Sequence, residues 1–153
     1  MESADDYGEY DGKITGLRTA QQGGCYSIIM GVARALELRV GLLGRILFPA
    51  GYYVYTGRAK KGIGHRVRRH FEKKKPCRWH IDYLTSREDV RVMEAIVYSD
   101  DAEEECMINQ RLSRLPGSRV FAPGFGSSDC VAGCGSHLVY FKRRPRRINH
   151  AIW

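Results

Sequence analysis

An α+β domain is the fold class this sequence predicts, and three observations predict it. An apolar run, GCYSIIMGV at 24–32, reads as a buried strand. Two later segments, 63–74 and 102–115, carry helical signals. A length of 153 residues with 43% hydrophobic content suits one core. A chain of this size buries roughly 70% of its unfolded surface, so neither a disulfide scaffold nor an obligate partner is needed. No apolar run approaches the roughly 18 residues of a membrane span, so none is expected.

Each element has its own warrant. Gly23-Gly24 leads into the first strand. The stretch 38–57, LRVGLLGRILFPAGYYVYTG, is punctuated by Gly and Pro as a hairpin would be, and Tyr52 to Thr56 is nearly pure strand former. Residues 63–74 fit a helix whose apolar stripe, Ile63, Val67 and Phe71, spans about 80°. WHIDYLT (79–85) reads as a short helix or turn, and VRVMEAIVY (90–98) as a strand, with helix as its alternative. Asp100 or Asp101 suits an N-cap, and Glu103, Glu104 and Glu105 suit the positive end of a helix dipole, so a helix is expected over 102–115. Pro116-Gly117 ends it, and a Gly-rich loop leads to a last strand at 137–142. With no repeat and no Pro/Ser-rich linker, the expected organisation is an acidic, flexible leader (1–12), one domain (13–144) and a basic, flexible tail (145–153).

Charge narrows the partner. Lys and Arg total 25 against 17 Asp and Glu, a net of +8, which favours an acidic partner such as nucleic acid. Between Arg58 and Arg78 ten basic residues face one acid, Glu72, a net of +9 within 21 residues, and Lys142 to Arg147 adds five more. Arg87 to Glu105 holds eight acids and two bases. The basic run is interleaved with Gly, His and aromatic residues, unlike a low-complexity targeting signal. The leader has five acids and no base, the opposite of a signal peptide. Five cysteines without a secretory signal favour a reducing cytoplasm with free or metal-binding thiols.

Some polar residues fall on inward faces. On the 63–74 wheel Arg66 lies about 60° and His70 about 20° from Ile63, one turn apart. Glu105 falls within about 60° of Ile108 and Leu112, and an inward carboxylate costs several kcal/mol unless paired or holding a cation. The plain alternatives are a structural Arg66–Glu105 ion pair and a satisfied core histidine. Cys130-x3-Cys134-x2-His137, with Cys77-x2-His80 upstream, could supply a tetrahedral Zn²⁺ site from Cys77, Cys130, Cys134 and His137. The alternative leaves Cys130 and Cys134 as small residues of a Gly-rich loop. Trp79 reads as either a base-stacking or a structural residue.

Six blocks, in order, resemble the GIY-YIG nuclease superfamily and, within it, the Uri superfamily endonucleases. Gly24-Cys25-Tyr26 stands where that family has Gly-Ile-Tyr, and Tyr55-Thr56-Gly57 where it has Tyr-Ile-Gly. HRVRRH (65–70), WHIDYL (79–84), Glu105-Cys106, and GFGSSDC with SHLVYF (124–130 and 136–141) follow. The resemblance implies a small antiparallel sheet of three core strands plus an extra hairpin, flanked by helices. It also implies a phosphodiesterase using one Mg²⁺ or Mn²⁺, with Tyr26, Tyr55, Arg66, His70 and Glu105 as catalytic residues.

The chemistry accords with those types. Glu105 would hold the cation, since one carboxylate plus waters suits Mg²⁺. Arg66 offers a planar fork to phosphate oxygens. Tyr26 would be base or water-positioning group with Tyr55 as partner, or the reverse. A phenol of pKa near 10 is ionised only about once in a thousand at pH 7, so nearby cations must lower it. His70 would hold a tyrosine or contact phosphate. Arg58, Lys60, Lys61, Arg68, Arg69, Lys73, Lys74 and Lys75 would grip the DNA backbone, with His80 beside the site. Many relatives use an Asn downstream of the Glu; here Ser128, Asp129 and His137 stand in its place. Cys25 replaces an apolar residue, and 27–54 is long enough for the extra hairpin. The expected function is a DNA endonuclease in repair or in processing structured or foreign DNA, of low sequence specificity because no base-reading module is present. The alternative is a non-catalytic nucleic-acid-binding module, with or without zinc. RNA stays open as a partner beside DNA, and the sequence leaves monomer and homodimer both open.

Overall fold

Strict alternation along one central strand organises the core. In the computed structural model, which describes residues 13–127, 130 and 132–152, β2 (Gly24–Val32) turns Tyr26, Ile28 and Met30 into one apolar cluster and Cys25 and Ile29 into another. Both faces of β2 are therefore covered, which is why its sequence is almost continuously apolar.

Around β2 lies a mixed six-stranded sheet in the order β1-β6-β2-β5-β8-β7, where β1 is Lys13–Thr15, β5 Gly51–Ala59, β6 Val90–Ser99, β7 Ser118–Val120 and β8 Leu138–Phe141. The β2, β5, β6 and β8 neighbours pair antiparallel, as do β7 and β8, while β1 runs parallel to β6. The expected antiparallel core of three strands is present as β6, β2 and β5, and the sheet extends beyond it, with β1 added in parallel at one edge. Three residues at each edge were too few for a sequence pattern. The extra hairpin is β3 (Leu36–Arg39) with β4 (Arg45–Phe48). Its inward residues Leu36, Leu38, Ile46 and Phe48 pack onto the Tyr26 side of the sheet.

Helices cover both faces. On the Tyr26 side, α1 (Ile63–Phe71) buries Ile63, Val67 and Phe71, and α2 (Asp82–Thr85) buries Leu84. On the Cys25 side, α3 (Glu105–Leu112) buries Ile108 and Leu112, and α4 (Ile148–Ile152) buries Ile148 and Ile152. The segment expected to be a flexible tail thus ends in a helix anchored in the core by two isoleucines. Helix α1 stops at Phe71 rather than residue 74, because Glu72 turns extended and Lys75 Nζ donates to the Arg69 carbonyl at 2.9 Å. Residues 102–104 form a 3₁₀ turn whose Asp101 carboxylate accepts from the Glu103 N–H at 2.9 Å. Asp101 is thus the expected N-cap, one turn ahead of α3. Among the described residues no helix is long and apolar enough to cross a membrane.

Candidate functional site

Register brings the two motif tyrosines together. In the β2–β5 ladder Tyr26 opposes Gly57 and Ile28 opposes Tyr55, so Tyr26 and Tyr55 are diagonal neighbours on one face. Gly57 is required there: a Cβ would lie 2.7 Å from the Tyr26 hydroxyl oxygen and 3.1 Å from the Tyr55 ring. Helix α1 crosses the same face, and its His70 Nε2 lies 2.7 Å from the Tyr26 hydroxyl. The His70 ring also meets the Tyr55 ring edge-on at 6.0 Å.

Beside these residues opens a cleft of about 570 Å³. It is lined by Tyr55, Arg58, Lys60, Lys61, Arg66, Arg78, Trp79, His80 and Glu105, together with Gly126, Cys130 and His137. Among the described residues, five cations therefore border one carboxylate, and such a lining concentrates anions. Arg66 is held by a 3.1 Å hydrogen bond to the Arg58 carbonyl and lies 4.5 Å from the Trp79 ring centroid. The Trp79 loop is tied down in turn by Asp82, which is fully buried and accepts from Arg69 at 2.8 Å and from the Arg78 and Trp79 N–H groups at 2.9 and 3.0 Å. His80 Nδ1 accepts from the Gly126 N–H at 2.9 Å, which pins the Gly-rich loop against the cleft.

The expected site residues divide accordingly. Tyr55, Arg66 and Glu105 reach the cleft, with Arg58, Lys60, Lys61, His80 and His137. Tyr26 and His70 do not: both are about 1% exposed and bond to each other, so His70 holds a tyrosine. Arg69 is committed to Asp82 and the Pro76 carbonyl. Lys73 Nζ donates to the Thr85, Arg87 and Val90 carbonyls at 3.1, 2.7 and 2.6 Å, and Lys75 to Arg69 and His70. These three cations brace the chain. Arg68 and Lys74 do not border the cleft. Ser128 and Asp129 lie outside the described residues.

Burial dominates the electrostatics. It pushes the Tyr26 phenol well above its usual value, with Tyr55 adding and Arg66 opposing. Burial likewise raises Tyr55, reinforced by Glu105 and opposed by Arg66. The expectation that neighbouring cations lower these phenols is thereby corrected: desolvation outweighs them. Burial, then Lys75, Arg66 and Arg69, lowers His70, which stays neutral and can pair with the Tyr26 hydroxyl.

A second group of ligands adjoins the cleft. Cys106, Cys130, Cys134 and His137 place one ligand atom each within 4.8 Å of all the others. Cys106 Sγ is 3.4 Å from Cys130 Sγ and 3.8 Å from His137 Nε2. Zn–S bonds of about 2.3 Å at tetrahedral angles put ligand atoms roughly 3.8 Å apart, so this group can hold a metal ion. Burial, with Cys130 and Cys134 adding, raises the Cys106 thiol to about 12. The expected four-ligand set is corrected at one position: Cys77 is exposed and takes no part, and Cys106 replaces it. Cys106 escaped a reading based on local spacing because it lies 24 residues before Cys130; its position directly after Glu105 was the available signal. His137 Nδ1 faces Glu105 Oε1 at 3.6 Å.

Sheet, cleft and thiol group define an α+β domain with a cationic cleft beside a potential metal site. The chain belongs to the family described as domain of unknown function DUF123, whose model matches residues 25–152. No curated protein and no solved structure matches it.

Proposed function

We propose that this chain is a Mg²⁺- or Mn²⁺-dependent endonuclease of the GIY-YIG type that hydrolyses DNA phosphodiester bonds, with low intrinsic sequence specificity, in repair or in processing structured or foreign DNA. The observation that carries the reading is Glu105, the one carboxylate that lines the cleft among the described residues, set with Tyr55, Arg66 and four further cations. A carboxylate oxygen in an open cleft of about 570 Å³ fits a hard divalent cation, which would keep several waters and leave room for phosphate oxygens. Bound there, the cation supplies neutralisation of phosphate charge and a more acidic water.

The chain's own residues supply the rest. Arg66, fixed on the Arg58 carbonyl and Trp79, presents its fork to the non-bridging oxygens. Tyr55 offers a neutral hydroxyl that orients the attacking water. Tyr26, bonded to His70, holds Tyr55 and α1 in place, so it acts as a positioning residue. Arg58, Lys60, Lys61 and Arg78 bind the backbone on either side. Three thiols and an imidazole suit Zn²⁺ in the Cys106 group, and five free cysteines suit a reducing cytoplasm.

That thiol group also favours a second reading, a non-catalytic, zinc-containing nucleic-acid-binding module. A panel of single-stranded, duplex, branched and damaged DNA, incubated with either cation, separates the two. The nuclease reading expects cleavage of at least one substrate, abolished by chelation; binding to the panel with no cleavage under either cation selects the module.

A further inference from the structure

His137 has both ring nitrogens aimed at chemistry. Its Nε2 lies 3.8 Å from Cys106 Sγ, inside the four-residue ligand group. Its Nδ1 faces Glu105 Oε1 at 3.6 Å and, among the described residues, has no hydrogen-bond partner, although the residue is 1% exposed. The ring is carried on a fixed backbone: the His137 N–H donates to the Phe125 carbonyl at 2.8 Å, and its own carbonyl accepts from Thr56 N–H at 3.1 Å. Glu105 and Cys106 are consecutive at the start of α3. One helical turn therefore presents a thiol to one side of the imidazole and a carboxylate to the other.

A neutral imidazole carries one ring proton. When Nε2 donates its lone pair to a metal ion, that proton resides on Nδ1, the atom facing Glu105. A histidine ligand ordinarily passes its second nitrogen to a carboxylate or carbonyl, which fixes ring and carboxylate together. The 3.6 Å gap closes to a hydrogen bond with a movement under about 1 Å, and the thiol sulfurs must themselves spread from 3.4 Å to accept a zinc ion. An orphaned buried nitrogen is costly to leave unpaired, and among the described residues no other acceptor bonds it.

We infer that His137 is a positioning residue linking the two metal sites: a soft metal ion held by Cys106, Cys130, Cys134 and His137 Nε2 sets the Nδ1–H tautomer, whose hydrogen bond to Glu105 orients the carboxylate that the cleft presents to its hard cation. Occupancy of the thiol site then controls the affinity of the cleft site. The last step rests on the reading of Glu105 as the cleft's cation ligand.

Histidine ¹⁵N NMR on the full chain loaded with zinc, and with ¹¹³Cd in its place, tests the linkage without any cleavage assay. The expected result is metal bonding at His137 Nε2, a proton on Nδ1, and a shift of that proton's resonance in Glu105→Gln. Failure to take up either metal, bonding through Nδ1, or an Nδ1 proton indifferent to Glu105→Gln overturns it. His137→Cys supplies a fourth thiol ligand but no Nδ1–H. It is expected to keep zinc while binding Mn²⁺, read by electron paramagnetic resonance of the free ion, about 10–100-fold more weakly. Unchanged Mn²⁺ affinity in the zinc-loaded variant reduces His137 to a ligand alone and overturns the coupling. Intact NMR linkage in a wild-type chain that binds no Mn²⁺ supports the His137–Glu105 bond and rejects the cation reading of Glu105.

Discussion

Eight of the ten basic residues from Arg58 to Arg78 fall into two groups of like charge and different surroundings. Arg58, Lys60, Lys61, Arg66 and Arg78 border the cleft. Arg69, Lys73 and Lys75 direct their donors to Asp82 and to main-chain carbonyls. A lysine head can therefore line an open cleft or serve as an internal brace, and charge density along the sequence does not tell which. Position relative to the α1 stripe and the loop beyond decides it. Arg66 sits on the side facing Trp79 and the cleft, whereas Lys73 lies past the helix end, where it gathers three carbonyls from the α2–β6 connection.

The largest effect should come from the bracing group. Asp82→Ala leaves Arg69 without its carboxylate in a 19% exposed site and frees the Arg78 and Trp79 N–H groups, so denaturant unfolding should show a loss of about 3–5 kcal/mol. Lys73→Ala should cost about 1–3 kcal/mol by stranding its carbonyl partners. If it weakens DNA binding with stability unchanged, the division between the groups is wrong.

Next in size is a dependence on pH. His70, His80 and His137 all have folded-state values lowered by burial from 6.5. Above about pH 6.5 they are neutral folded or unfolded. Below it the unfolded chain takes up protons that the folded chain resists, so stability falls with acidification until each folded value is reached, by up to about 1.4 kcal/mol per pH unit per histidine. Melting temperatures between pH 7 and 5 should decline accordingly, and His70→Gln should flatten the decline. An unchanged slope in that variant would show that His70 does not titrate as its burial requires.

The smallest stability effect belongs to the cleft group. Lys60→Ala with Lys61→Ala should change stability by no more than about 0.5 kcal/mol. The same double variant should reduce the salt dependence of duplex binding by nearly two phosphate contacts, at roughly 0.9 in slope each. Salt titrations that match wild type would remove these lysines from the DNA surface.

Much of this was legible in the sequence where pattern is long and local. The apolar run of β2, the Ile63-Val67-Phe71 stripe and the acidic start before α3 all carry their structure in neighbouring residues. The inward placement of Arg66, His70 and Glu105 followed from helix geometry. The edge strands β1 and β7 are too short to show a period, and α4 is recognisable only from how Ile148 and Ile152 meet the core. Cys106 joins its partners through tertiary packing, so spacing chose exposed Cys77 instead. The burial of Tyr26 depends on Gly57 standing opposite it, a matter of register. The same burial reverses the expected direction of its pKa shift.

The central claim is that Glu105 holds the cation of a DNA-cleaving site. Cleavage and binding measured in parallel for wild type and Glu105→Ala, on the best substrate with Mg²⁺ or Mn²⁺, test it most directly. The account predicts that Glu105→Ala binds that DNA but cuts it at least about a hundredfold more slowly. A variant that cuts at the wild-type rate would contradict it.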